Sequence, residues 1–340
     1  MASPTGSAKP NPFLVYYTLN AYQNTAALRA AIDLDVFTAI GEGHDSIAAL
    51  VKRCGGTARG LRILCDHLVI IGFLAKAEPR YALTAESALY LDRRSPSCIA
   101  SAAGFLTLPE TVTAFMSLAD AIRNGEPALK GEGSLSPENP VWVEFARSMG
   151  PMTRGPAEEM ARAIDAPAGK KWKVLDLAAG HGTFGITVAR HNPNAEIFAQ
   201  DWNQVLDVAM ESARAAGVEG QIHRLPGSAF EVELGSGYNV ILVTNFLHHF
   251  DPPTNEKLLR KLRAALAPGG LVVTLEFIPN EDRVTPARAA GFAMTMLGTT
   301  PSGDAYTASE YRRMFENAGF SSNDVRPPMA SGHSLIVSRV

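Results

Sequence analysis

Apolar residues recur at three- and four-residue steps between positions 11 and 40, at Leu14, Tyr17, Tyr22, Ala26, Leu28, Ile32, Val36 and Ile40. That spacing predicts helices. The apolar positions run nearly all round them, which predicts burial on several sides, and a second subunit is one way to supply it. Ser46 and Thr57 read as N-caps of helices over 47–54 and 58–71, stopped by Gly55-Gly56 and Gly72. Residues 73–76 and 80–84 read as short strands around a Glu78-Pro79 turn. The first ten or so residues read as a disordered tail.

Residues 100–165 are again helical in pattern. Val112, Phe115, Met116, Leu118, Ala119 and Ile122 form one apolar face, and 129–140 is a loop rich in Gly, Ser and Pro. Trp142, Phe145, Met149 and Met152 follow at helical spacing, a stripe equally suited to core or pocket. The second half alternates. Short apolar runs at 173–177, 196–201, 222–225, 240–243 and 271–276 are separated by helical stretches at 186–191, 205–216 and 255–267. This alternation predicts an α/β, Rossmann-like doubly wound domain with a parallel sheet covered on both faces.

Composition narrows the class. The 340 residues suggest about two domains, and 46% hydrophobic with 19% charged residues is ordinary for a packed core. The expected division is 1–100 and 101–340, with a helical segment at 101–165. The helix–helix–hairpin order before residue 95 is the winged-helix pattern. A nucleic-acid role fits poorly, because the net charge is −3 and residues 41–95 hold 8 Lys and Arg against 6 Asp and Glu. Packing and dimerisation suit this unit better than DNA reading. Cys54, Cys65 and Cys98 form no disulfide or zinc pattern, and no apolar run is long enough to span a membrane. A cytoplasmic protein is expected, with a small-molecule partner and neither nucleic acid nor membrane.

The deciding motif follows the first strand of the second half. It reads Asp176-Leu177-Ala178-Ala179-Gly180-His181-Gly182-Thr183-Phe184-Gly185. G-x-G-x-x-G suits a nicotinamide dinucleotide, with Asp201 on a ribose. S-adenosylmethionine suits it better. An acid at the strand end, Asp176, would repel a pyrophosphate but attract a sulfonium cofactor with a free amino-acid tail. Pro226-Gly227-Ser228, Asn245-Phe246-Leu247-His248-His249-Phe250 and Ala267-Pro268-Gly269-Gly270 flank the later strands in matching order.

With these motifs together, the sequence resembles the two-domain class I S-adenosylmethionine-dependent O-methyltransferases. That group includes acetylserotonin, plant caffeate-type and bacterial polyketide enzymes. The resemblance covers nearly the whole chain and implies a winged-helix dimerisation domain and a homodimer. It implies that Asp176, Gly180 and Gly182 hold the methionine tail, and that Asp201 holds the ribose. Trp202, Gly227, Ser228 and Asn245 would lie around the rest of the cofactor. It places His248 as general base, in a setting where a phenol must lose a proton and a neutral imidazole can take it. Glu276 would orient that imidazole. A second family glutamate is replaced here by Ala305, with Asp304 one position away, and His249 stands where plant enzymes carry Asp. No third ligand joins His248 and His249, so no metal is expected. Phe105, Trp142, Phe145, Met149, Met152, Met294 and Leu297 are the expected acceptor pocket. C-, N- or S-methylation, or cofactor binding without methyl transfer, remain the alternatives.

Overall fold

Ser46 and Thr57 cap as their positions predict: each side-chain oxygen accepts a backbone N–H one turn on, from Ala49 and Gly60. The computed structural model describes residues 10–77, 79–131, 133–135 and 139–340. The expected tail therefore lies almost wholly outside the described residues, as does Glu78. The chain divides into two compact units, after Ala103.

The first unit holds α1 (Phe13–Leu19), α2 (Tyr22–Asp33), α3 (Val36–Gly41), α4 (Ile47–Cys54) and α5 (Ala58–Ile70). The hairpin of β1 (Leu74–Ala77) and β2 (Arg80–Leu83) follows, then α6 (Ala85–Tyr90). The expectation of all-round burial divides here. α3 is buried on every side through Val36, Phe37, Ala39 and Ile40. α1 is not: Phe13, Leu14, Val15, Tyr16, Tyr17 and Leu19 are all at least 60% exposed within the chain. Leu50, Leu61, Cys65, Leu68 and Tyr81 complete this unit's core.

α7 (Ala103–Leu106) straddles the boundary, and the second unit continues with α8 (Pro109–Phe115), α9 (Leu118–Asn124) and the long α10 (Val141–Ala163). The single apolar face expected over 112–122 is divided between α8 and α9. Met116 and Ser117 break the helix, and Val112, Met116 and Ile122 are exposed. The sheet and its helices then run as β3 (Trp172–Leu177), α11 (Thr183–His191), β4 (Ala195–Asp201), α12 (Asn203–Ala215), β5 (Ile222–Pro226) and β6 (Tyr238–Thr244). They continue as α13 (Pro252–Ala265), β7 (Leu266–Glu276), α14 (Ala287–Thr299), α15 (Ala308–Asn317), β8 (Ser322–Val325) and β9 (Ser334–Arg339).

Strand order is β5-β4-β3-β6-β7-β9-β8. The first five are parallel, but β9 is antiparallel to both β7 and β8. The expectation of a wholly parallel sheet is thus corrected at one edge. Residues 326–333 are too short a link for a parallel crossover, which needs a dozen or more residues, so the chain turns back and β9 inserts beside β7.

Alternation along the strands builds two cores. Val240 and Leu242 of β6 pack on one face with Val174, Val188, Ile197 and Met160. Ile241 and Val243 pack on the other with Leu175, Leu258, Tyr311 and Phe315. This period of two, with both faces apolar, makes the strands near-continuous hydrophobic runs. The loops at the carboxyl ends of β3 to β7 therefore share one edge of the sheet, where doubly wound folds bind ligands.

Candidate active site

The turn after β3 is built from left-handed residues. Ala178, Gly180 and Gly182 have φ of 51°, 57° and 74°. Only Gly adopts such angles without strain, which explains two of the three. Asp176 is 1% exposed; its Oδ2 accepts from the Gly185 amide at 2.9 Å, while Oδ1 has no partner among the described residues. Burial raises its pKa to about 7, against that backbone bond, with the neighbouring Asp201 raising it further. Asp201 accepts from Gly180 N at 2.8 Å through Oδ2 and from Trp202 N at 2.7 Å through Oδ1. Burial raises it to about 6. Each carboxylate oxygen has a second acceptor site, so these bonds leave capacity for a ligand hydroxyl.

Two residues that the sequence did not single out fasten this edge. Gln200 is buried in β4; its Nε2 donates to Gly227 O at 2.5 Å and its Oε1 accepts from Ala178 N at 3.3 Å. It ties the β3 turn to the loop after β5. Lys261 of α13 donates to the carbonyls of Ala229, Phe230 and Val232 at 3.1, 3.0 and 2.7 Å. Gln200 carried a weak signal, a lone amide inside an apolar strand. Lys261 carried none, since a lysine on an amphipathic helix reads as solvated. Within the same loop Gly227 has φ 134°, and Ser228 Oγ accepts from Phe230 N. Trp202 packs in a small cluster with Trp142, Val143, Ala146, Val205 and Val208.

The turn after β6 carries the histidines. Asn245 is left-handed at φ 53°, and its buried Oδ1 has no partner among the described residues. His248 Nδ1 lies 2.5 Å from Glu276 Oε2. Glu276 is fully buried, and its Oε1 accepts from the amides of Phe246 and Leu247 at 3.0 and 2.9 Å. One carboxylate thus fixes both the turn and the imidazole. His249 Nδ1 donates to Phe246 O at 3.1 Å. Burial, and secondarily the charge of His248, holds His249 well below its usual pKa, so it is neutral at pH 7. Asp304 does not stand in for the replaced glutamate: its carboxylate pairs with Arg283 at 3.2 Å and accepts from Ala305 N at 2.8 Å. Its backbone N–H donates to the backbone carbonyl of His248 at 2.9 Å.

α10 brings aromatic rings to this edge. Phe145 contacts Phe105 (5.1 Å between ring centres), Trp142 (5.8 Å) and His181 (6.0 Å), and Trp142 meets His249 at 5.4 Å. Met149 and Met152 are half-buried on the same helix. On α14, Leu297 is half-buried and Met294 is 51% exposed, while Phe292 meets the His248 ring at 4.8 Å. Among the described residues, no three His, Cys, Asp or Glu side chains converge to hold a metal.

Residues 152–321 match the O-methyltransferase domain, and residues 16–93 match the O-methyltransferase dimerisation domain. A Nostoc punctiforme protein provisionally described as an O-methyltransferase is 48% identical, covering 97% of this chain and 99% of its own, with a TM-score of 0.93. The chain belongs to the S-adenosylmethionine-dependent O-methyltransferase family. The 3-hydroxy-5-methyl-1-naphthoate 3-O-methyltransferase of Streptomyces sahachiroi is 27% identical over 330 residues, 94% of each chain. Human N-acetylserotonin methyltransferase, solved with S-adenosylmethionine, shares the fold at TM-score 0.83 and 21% identity, covering 98% of this chain and 99% of its own.

The residues of this O-methyltransferase fit a cationic cofactor. Asp176 Oδ1 and Asn245 Oδ1 are buried acceptors with no donor among the described residues. Two carboxyl groups lie beside a glycine turn in which Gly182 and the following Gly185 leave little room for a side chain. A Cβ on Gly182 would sit 3.1 Å from Ile186 Cδ1 and 3.2 Å from Ala209 Cβ. At Gly185 it would sit 2.7 Å from both Asp176 Oδ2 and Ile197 Cγ2. Gly185→Ala is therefore expected to destabilise the fold by about 1–3 kcal/mol through overpacking. A lowered thermal midpoint checks this, and an unchanged one contradicts it.

Proposed function

We propose that this methyltransferase transfers the methyl group of S-adenosylmethionine to a hydroxyl of a small aromatic or polyketide-like acceptor, with His248 as general base. The observation that carries the reading is the buried His248–Glu276 pair. Because Glu276 engages Nδ1, the imidazole proton sits on that nitrogen and Nε2 remains to accept a proton. Glu276 then stabilises the imidazolium that forms. When bound, the cofactor supplies a methyl already activated by the sulfonium charge. The chain's tasks are to position the acceptor and take its proton.

In this reading Asp176, Gly180 and Gly182 hold the methionine tail and Asp201 the ribose, with Gly227, Ser228 and Asn245 around the nucleoside. Gly227 serves through its backbone and Ser228 caps its own turn. Trp202 acts chiefly in packing α12 against α10. Phe105, Trp142, Phe145, Met149, Met152, Met294 and Leu297 wall a flat apolar acceptor. The dimerisation domain and the exposed apolar face of α1 support a homodimer. Three free cysteines suit a cytoplasmic enzyme. A screen of phenolic, indolic, thiol and oxo-acid acceptors, read by release of S-adenosylhomocysteine, tests the function. Turnover only with thiols or carbon acceptors would replace the O-methyl reading.

The raised Asp176 and Asp201 make cofactor binding pH-dependent. Their carboxyl groups retain protons up to about pH 7 and 6, where ordinary carboxyls have lost theirs. The ammonium group of the methionine tail needs the Asp176 carboxylate, so binding releases a proton below about pH 7, where Asp176 is still protonated. Affinity for S-adenosylmethionine is expected to rise as pH climbs from 5.5 to about 7, then level off. The slope is about tenfold per unit for each proton released. Calorimetry in buffers of different ionisation enthalpy measures that release, and a flat affinity with no proton release removes Asp176 from the site.

A further inference from the structure

The glycine turn carries one side chain between Gly180 and Gly182, and it enters α10. His181 is 4% exposed. Its Nδ1 accepts from Thr183 N at 3.1 Å, which places the ring proton on Nε2. Nε2–H then donates to Thr153 Oγ1 at 3.2 Å, and the Thr153 hydroxyl donates on to Gly150 O at 2.9 Å. Every proton in this chain has one direction. Burial lowers His181 to about 4, so the arrangement holds through neutral pH. Phe145 stacks on the ring with an interplanar angle of 22°. The α10 backbone also lies close: a Cβ on Gly150 would be 3.7 Å from His181 Cγ. The same helix meets His249 through Trp142, and the His249 ring centre is 4.3 Å from that of His248. Ring contacts thus run unbroken from the glycine turn to the histidine turn.

We propose that His181 is a positioning residue that couples the glycine turn to α10, so that filling the cofactor site orders the helix that walls the acceptor. This rests on the cofactor reading above. Coupling of this kind is reciprocal: an acceptor that settles α10 also tightens the cofactor. Hydrogen exchange across residues 141–163, with and without saturating S-adenosylhomocysteine, tests it in the full-length chain. In the wild type, ligand is expected to slow exchange at least about fivefold. Thr153→Ser keeps the hydroxyl and is expected to keep that ratio. Thr153→Val keeps the shape but loses the hydroxyl, and its ratio is expected to fall towards one while calorimetry still detects binding. A purely structural Thr153 would loosen α10 equally in both states and leave the ratio at its wild-type value, which overturns the coupling. A wild-type ratio near one also overturns it. Absence of any S-adenosylhomocysteine binding by the wild type overturns the cofactor reading and the coupling with it.

Discussion

His248→Ala is expected to lower kcat/KM for the hydroxyl acceptor by roughly 10²–10⁴-fold at pH 7, the usual worth of a positioned proton acceptor. The cofactor site should be little affected. Asp176 bonds to the Gly185 amide and Asp201 to the amides of Gly180 and Trp202, and none of these bonds involves His248. S-adenosylhomocysteine binding by calorimetry should therefore stay near wild type while turnover collapses. The loss should shrink as pH rises towards 10, because a phenol then ionises without help. That recovery separates a base from a residue that merely shapes the pocket, whose removal costs the same at every pH. If the variant retains turnover within about fivefold of wild type at pH 7, the proton leaves by another route. The proposal then falls to a positioning role for the imidazole.

The parts of this chain most legible in its sequence were those governed by local rules. Ser46 and Thr57 mark helix starts because a side-chain oxygen supplies the first turn's missing acceptor. The runs at 173–177 and 240–243 mark central strands because both faces are covered. The glycine turn was legible through its backbone needs. Illegible were features that depend on distant chain. β9 wedges between β7 and β8, which no run of residues announces. Gln200 and Lys261 look like an ordinary polar strand residue and an ordinary helix lysine until the β5 loop folds over them. His181 occupied a variable position of the glycine motif, and its partner Thr153 lies 28 residues earlier. The resemblance led to His248 and Glu276, and the structure brings them together. Asp304, one position from the replaced glutamate, pairs with Arg283.

Glu276→Gln separates orientation from packing at the most deeply buried charge in the site. Glu276 makes three bonds: two accepted through Oε1 from backbone amides and one through Oε2 with His248. A carboxamide can keep the first two with its oxygen, so folding should be little changed. Its nitrogen must then face His248 Nδ1, and two donors cannot share that contact. The imidazole is driven to place its proton on Nε2, leaving no lone pair for the acceptor's proton. Activity is expected to fall roughly 10²–10⁴-fold, comparable to loss of the base itself, as when a triad carboxylate becomes an amide. Glu276→Leu is the control. It abandons the Phe246 and Leu247 amides, and an unsatisfied buried N–H costs about 1–3 kcal/mol. It should therefore lower the thermal midpoint as well as activity. Equal melting of wild type and Gln variant, with activity lost only in the latter, assigns Glu276 to the imidazole's tautomer. Near-wild-type kcat/KM in the Gln variant would show that the pair holds the turn together and contributes nothing to the proton's path.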